Sequence, residues 1–101
     1  MPVLVTADVA GQTQLGYDEM LAKIEPDLAV AKGLISHASY RISGGWRVIE
    51  IWESKEDANK FFTEVVAPAL RPGRRALRTF QDLHKCVKAK KPRRQVTAPV
   101  A

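Results

Sequence analysis

The stretch "GGWRVIEIWES", residues 44–54, limits the fold more than any other part of this chain. Two glycines lead into a run that reads as a strand. With period two, Trp46, Val48, Glu50 and Trp52 share one face, and Arg47, Ile49, Ile51 and Glu53 share the other. Both faces carry apolar groups, so both need cover. A strand of this kind belongs to a sheet packed on helices on one side and on a further layer on the other.

The rest of the chain supplies helices for one side. Residues 2–9, "PVLVTADV", are rich in β-branched residues and read as a first strand. Thr13 is placed to cap a helix in which Tyr17, Met20, Leu21, Ile24 and Leu28 recur at helical spacing. Pro26 predicts a break or kink there, with a short second piece running to Lys32 and stopping at Gly33. "LISHASYRI" reads as a second strand, and Ser43-Gly44-Gly45 as the hairpin turn into the third. Ser54, with Asp57 three residues on, opens a second helix whose stripe runs through Ala58, Phe61, Phe62, Val65, Val66 and Ala69. Pro68 should distort its last turn. Residues 77–84, "LRTFQDLH", make a last strand.

The order β-α-β-β-α-β predicts an α+β, ferredoxin-like fold: a four-stranded antiparallel sheet with both helices on one face. The helices leave Ile49 and Ile51 uncovered. A second copy packed sheet to sheet across a two-fold axis is the economical answer, so the expected assembly is a homodimer.

A chain of 101 residues is one domain. The start lacks the basic and long apolar regions of a signal peptide, and no apolar run reaches membrane-spanning length, so the expected location is cytoplasmic. The single Cys86 permits no internal disulfide and no cysteine-based metal site. The net charge of +5 is unevenly divided. Residues 1–70 hold six Lys/Arg against ten Asp/Glu, whereas residues 71–101 hold ten against Asp82 alone. Residues 88–101 are expected to form a basic, disordered tail after a domain over 1–87. Such a tail could touch nucleic acid only weakly and in a salt-sensitive way.

The Gly-Gly-Trp-led third strand ending in "IWESKEDANKFF", after the glycine-led "GLISHASY", resembles the dimeric α/β-barrel superfamily, and within it the antibiotic-biosynthesis-monooxygenase-type (ABM) domains. The similarity covers roughly residues 2–87, and the "WES" junction is its most specific part. It implies a dimer with a pocket between sheet and helices, in which cofactor-free monooxygenases hold an aromatic polyketide while oxygen reacts with the deprotonated substrate. Trp52 matches a site tryptophan of such enzymes. Val48 stands where a pocket asparagine would sit, and Ala58 where a tyrosine would sit. Haem-degrading relatives bind iron through a histidine late on the second helix, where this chain reads "ALRPG", so no haem is expected. His37 and His84, both assigned to strands, fit no metal-ligand spacing.

Oxidation without a cofactor needs a base and a water-poor cavity. Glu50, between two tryptophans, is the candidate base, because an apolar surround favours a carboxyl group able to take up a proton near neutral pH. Trp52, Trp46, Tyr40, Phe61 and Phe62 are the candidate substrate-binding residues, for a small aromatic ligand. Tyr40 and Ser36 join Glu50 if the hairpin register puts them on its face. A one-residue shift would substitute His37 and Ser39. The competing structural reading pairs Glu50 with Arg47, Arg41 or His37 and leaves both tryptophans as core.

Two other functions fit part of the pattern. An RNA-recognition motif has the same element order, but its third strand needs alternating aromatics for base stacking; here one aromatic is followed by Val48 where the second belongs, Glu50 would repel phosphate, and "VLVTAD" has no aromatic. A non-catalytic small-molecule binder, or a dimer with no ligand, needs only the pocket walls.

Overall fold

A computed structural model of the chain describes residues 1–89. The proposed tail therefore lies outside the described residues, apart from Lys88 and Ala89. Strand β1, Val3–Ala10, leads to helix α1, Gln14–Leu28, and the hairpin β2–β3 follows, Leu34–Ile42 and Gly45–Trp52. A second helical run comprises α2, Lys55–Phe61, a π-helical segment, Phe62–Val66, and a short turn α3, Ala67–Ala69. Strand β4, Ala76–Asp82, closes the sheet in the antiparallel order β2-β3-β1-β4. This is the predicted ferredoxin-like α+β arrangement.

Both expected caps form. Thr13 Oγ1 accepts the Gly16 N–H at 3.1 Å, and Ser54 Oγ accepts the Asp57 N–H at 3.1 Å. They satisfy amides that a helix start leaves without partners. Asp57 sits so close to Gly33 that any Cβ there would collide with its carboxylate, and Gly33 has φ +84°. Only glycine meets both conditions without strain.

Two local expectations change. Pro26 lies inside α1 without breaking it, and the helix ends at Leu28 rather than near Lys32. Pro26 is exposed and only two residues from the end, so the cost is one missing hydrogen bond rather than a lost core contact. His84 lies beyond β4, which ends at Asp82. Pro68 acts as expected, but further back than its own turn. Its ring would crowd the carbonyl of Glu64 and it has no N–H, and the turn before it is widened so that the Ala67 N–H reaches Phe62 O.

The helices cover one face of the sheet in two packed clusters. Val3, Val5, Trp52, Ala58 and Phe61 form one, and Tyr17, Met20 and Trp46 the other. The opposite face holds Leu4 beside Ile51, and Thr6 and Ala38 beside Ile49, according to the strand register. Tyr40 is 46% exposed and Leu77 70% exposed on this face. Arg47 crosses it to make a bidentate pair with Asp8, at 2.6 and 2.8 Å. Hydrogen bonds from Arg47 hold the Asp8 carboxyl below its ordinary value. Among the described residues no helix is long and apolar enough to cross a membrane.

Candidate functional site

Between the two core clusters lies an apolar cavity of about 50 Å³. Its floor is the helix-facing side of the sheet, with Val5, Ala7 and Val9 from β1 and Val48 and Glu50 from β3. Met20 and Ile24 of α1 form one wall, and Phe61, Phe62 and Val66 of the second helical run form another. Three groups on the lining can carry charge: Glu50, His37 and Arg78.

The two tryptophans explain their own spacing. Trp46 and Trp52 anchor the two core clusters, and Glu50 comes between them, where the cavity opens. Trp52 is 1% exposed, its ring 5.5 Å from that of Phe61. It does not line the cavity, but its indole N–H donates to Glu50 Oε1 at 3.0 Å. Trp46 stacks on Tyr17 with ring centroids 5.4 Å apart, and its indole N–H has no partner among the described residues.

Hairpin register decides the remaining neighbours. Ile42 pairs with Gly45, so the loop is the two residues Ser43 and Gly44, and Gly44 takes a positive φ of +75° at the second central position, where a type II turn favours glycine. That register sets His37 opposite Glu50 and Ser39 opposite Val48. Tyr40 pairs with Arg47 on the other face of the sheet and is absent from the site, which corrects its expected role. Ser36 likewise faces away, opposite Ile51. A period of two makes this outcome all-or-none.

A chain of hydrogen bonds results. His37 Nδ1 lies 2.6 Å from Glu50 Oε2, and His37 Nε2 lies 2.7 Å from the Tyr17 hydroxyl. Indole can only donate, so Glu50 is the acceptor at that end. The tautomer that donates from Nδ1–H to Glu50 leaves Nε2 to accept the Tyr17 O–H. Burial pushes the Tyr17 phenol above its ordinary value. Contact with Ser39 opposes this, and the charges of Glu50 and Asp18 add to it. A group whose proton is held more tightly in the folded state stabilises the fold fully below the ordinary phenol value of 10.0 and loses that contribution as pH rises through its folded value. Stability should therefore fall above about pH 10, and Tyr17→Phe should flatten that alkaline limb. Urea melts between about pH 8 and 11 measure it; an unchanged limb in the variant would remove Tyr17 as its cause.

Arg78 is the group that the sequence reading missed. In β4, "ALRTFQD", Ala76, Arg78 and Phe80 share the helix-facing side, so a period-two reading could have found it. The guanidinium lies 4.1 Å from the Phe62 ring centroid and 4.9 Å from that of Phe80. One N–H donates to Asn59 Oδ1 at 3.1 Å. Among the described residues no carboxylate lies within ion-pair distance of it. Burial lowers its pKa from the ordinary value, with the Glu50 charge acting the other way.

Val48 lines the cavity and Ala58 is buried in the core, so both positions are apolar. The polar equipment comes instead from the two edge strands, as His37 on β2 and Arg78 on β4.

Solved structures share this architecture. SnoaB, a cofactor-independent oxygenase from Streptomyces nogalater, superposes with a TM-score of 0.65 at 13% identity, over 85% of this chain and 96% of SnoaB. The likeness is one of fold, the ferredoxin-like α+β arrangement described above. Rv0793 from Mycobacterium tuberculosis matches this chain with a TM-score of 0.56 at 19% identity, over 87% of this chain and 100% of that protein. A Bordetella bronchiseptica protein provisionally named an antibiotic biosynthesis monooxygenase matches with 0.52 at 12% identity, over 81% and 97%. By sequence, no protein-family model and no curated protein matches the chain.

Proposed function

We propose that this ABM-like domain forms a homodimer whose cavity binds a small hydrophobic aromatic compound bearing an acidic group, and that it acts on it as a cofactor-independent monooxygenase. The observation that carries the reading is the pairing of Arg78, without an ion-pair partner among the described residues, with the Glu50–His37 pair on one apolar cavity. A guanidinium in apolar surroundings favours a ligand that brings an oxyanion or an acidic carbonyl compound.

The chemistry follows from the charges. Glu50 Oε1 and Oε2 each accept one hydrogen bond and keep a second lone-pair position for a substrate proton. Abstraction breaks a C–H bond, forms O–H on Glu50 and leaves the electron pair on the substrate as an enolate. Arg78 stabilises that developing charge. Molecular oxygen then oxidises the carbanion; a methylene becomes a carbonyl and one water leaves. The hydrogen bonds from Trp52 and His37 hold Glu50 in place for this step.

Anthrone tests the assignment, because its methylene is both acidic and oxidisable. Wild type should take up oxygen and exchange the methylene protons with solvent deuterium. Glu50→Gln should keep the fold and lower both rates by about 100-fold or more. Arg78→Met should weaken binding about ten-fold. Equal turnover in Glu50→Gln ends its role as base.

A second reading rests on a specific observation: both Glu50 oxygens are already engaged by Trp52 and His37. A non-catalytic binder would use Glu50 only to hold the strands. It predicts that wild type binds anthrone without oxygen uptake and that Glu50→Gln loses stability.

A further inference from the structure

A cavity of about 50 Å³ is smaller than an aromatic ligand needs; one of about 150 Å³ is what accommodates benzene. One wall must therefore move when such a ligand enters. The sheet wall is fixed by continuous ladders from β1 to both neighbours. Helix α1 is regular and roots Tyr17, Met20 and Ile24 in the core. The wall over Phe62–Val66 differs. It is π-helical, none of its residues is fully buried, and it runs into Pro68, which donates no backbone hydrogen bond.

Phe62 is the first residue of that segment and lines the cavity. Its ring also lies against the guanidinium of Arg78 at 4.1 Å, the closest of the cation–ring contacts among the described residues. The same side chain thus narrows the cavity and occupies the group that would receive an acidic ligand.

We propose that Phe62 is a latch on the cavity: its ring lies against the Arg78 guanidinium when the cavity is closed, and an entering aromatic ligand displaces it, the ring swinging outward on the π-helical segment. The inference rests on the reading of the cavity as a site for acidic aromatics and adds a competition within it. A ligand with an anionic group regains at Arg78 what is lost when the cation–ring contact breaks. A neutral aromatic of the same shape opens the latch and regains nothing. The cost of opening is then common to both ligands, and Arg78 alone separates them.

Calorimetric titration of the full chain with 2-naphthoate and with its neutral isostere 2-naphthamide tests this. Phe62→Leu removes the ring but keeps apolar bulk. It should tighten 2-naphthoate and 2-naphthamide alike by about five-fold, the scale of a half-buried cation–ring contact, because both must open the latch. With Arg78→Met in the background, the gain should vanish. Phe62→Met, a second replacement without a ring, should repeat the pattern, with circular dichroism confirming the fold of each variant. If Phe62→Leu weakens both compounds alike, Phe62 is only a wall and the latch is overturned while the binding reading stands. If neither compound binds wild type or variant, the binding reading fails and the latch with it.

Discussion

Trp52→Ala is expected to lower the unfolding free energy by about 3–5 kcal/mol, the cost of deleting a buried aromatic. Trp52 is 1% exposed and packs with Val3, Val5, Ala58 and Phe61, so its deletion leaves a cavity in the core. The loss should exceed that of Trp46→Ala, because only Trp52 also makes a hydrogen bond, to Glu50 Oε1. Trp52→Phe separates the two contributions. It keeps most of the ring contact and removes the donor, and should cost about 1–2 kcal/mol. Urea unfolding followed by circular dichroism measures all three. A Trp52→Ala loss below about 1 kcal/mol would show that the cluster around it collapses freely, and the cavity beside it would then be no fixed site.

The fold was legible because its signals were redundant. Thr13 and Ser54 are strong caps, the stripes of α1 and of the second helical run are long, and residues 46–52 carry strand-forming apolar side chains on both faces. Each survives an error of a residue at either end. The site was less legible because it hangs on single residues. Whether Ser43-Gly44 or Ser43-Gly44-Gly45 forms the turn decides between His37 and Tyr40, and no composition signal chooses between them. The close approach of Gly45 to the Val9 carbonyl, where a Cβ would collide, is the physical reason that Gly45 belongs to the strand, and it is a tertiary fact. Glu50 was found as the charged residue between tryptophans, and its pairing with His37 was one of three alternatives. Arg78 escaped because one arginine in a short edge strand reads as a solvated side chain until α2 and Phe62 are laid over it. The π-helical turn was visible only as Pro68; which carbonyl would be relieved by the widening depends on the whole helical run.

Ile51→Asp is expected to convert the proposed dimer into a folded monomer, raising the dissociation constant by about 1,000-fold or more, equivalent to about 4 kcal/mol. Ile51 sits on the sheet face that the helices do not cover, beside Leu4 on β1 and opposite Ser36 on β2. In one copy a carboxylate there remains reachable by water, since Ile51 is only half-buried. Across a two-fold interface the substitution buries two like charges near the axis, each without a partner, and both desolvation and repulsion oppose association. Leu15→Asp is the control: Leu15 is 68% exposed on α1, away from that face, and its replacement should leave the dimer intact. The Asp8–Arg47 pair lies on the same face and gives an independent handle. The Asp8 carboxyl is held below its ordinary value, so what the pair contributes is present above that value and is lost as pH falls through the lowered one. A dimer that buries this pair should therefore weaken in acid, with Asp8→Asn weakened already at neutral pH. Light scattering at micromolar concentration reads each case. A wild type that is monomeric there, or an Ile51→Asp variant that stays dimeric, would mean that the apolar side of the third strand is covered by something other than a second copy of the sheet.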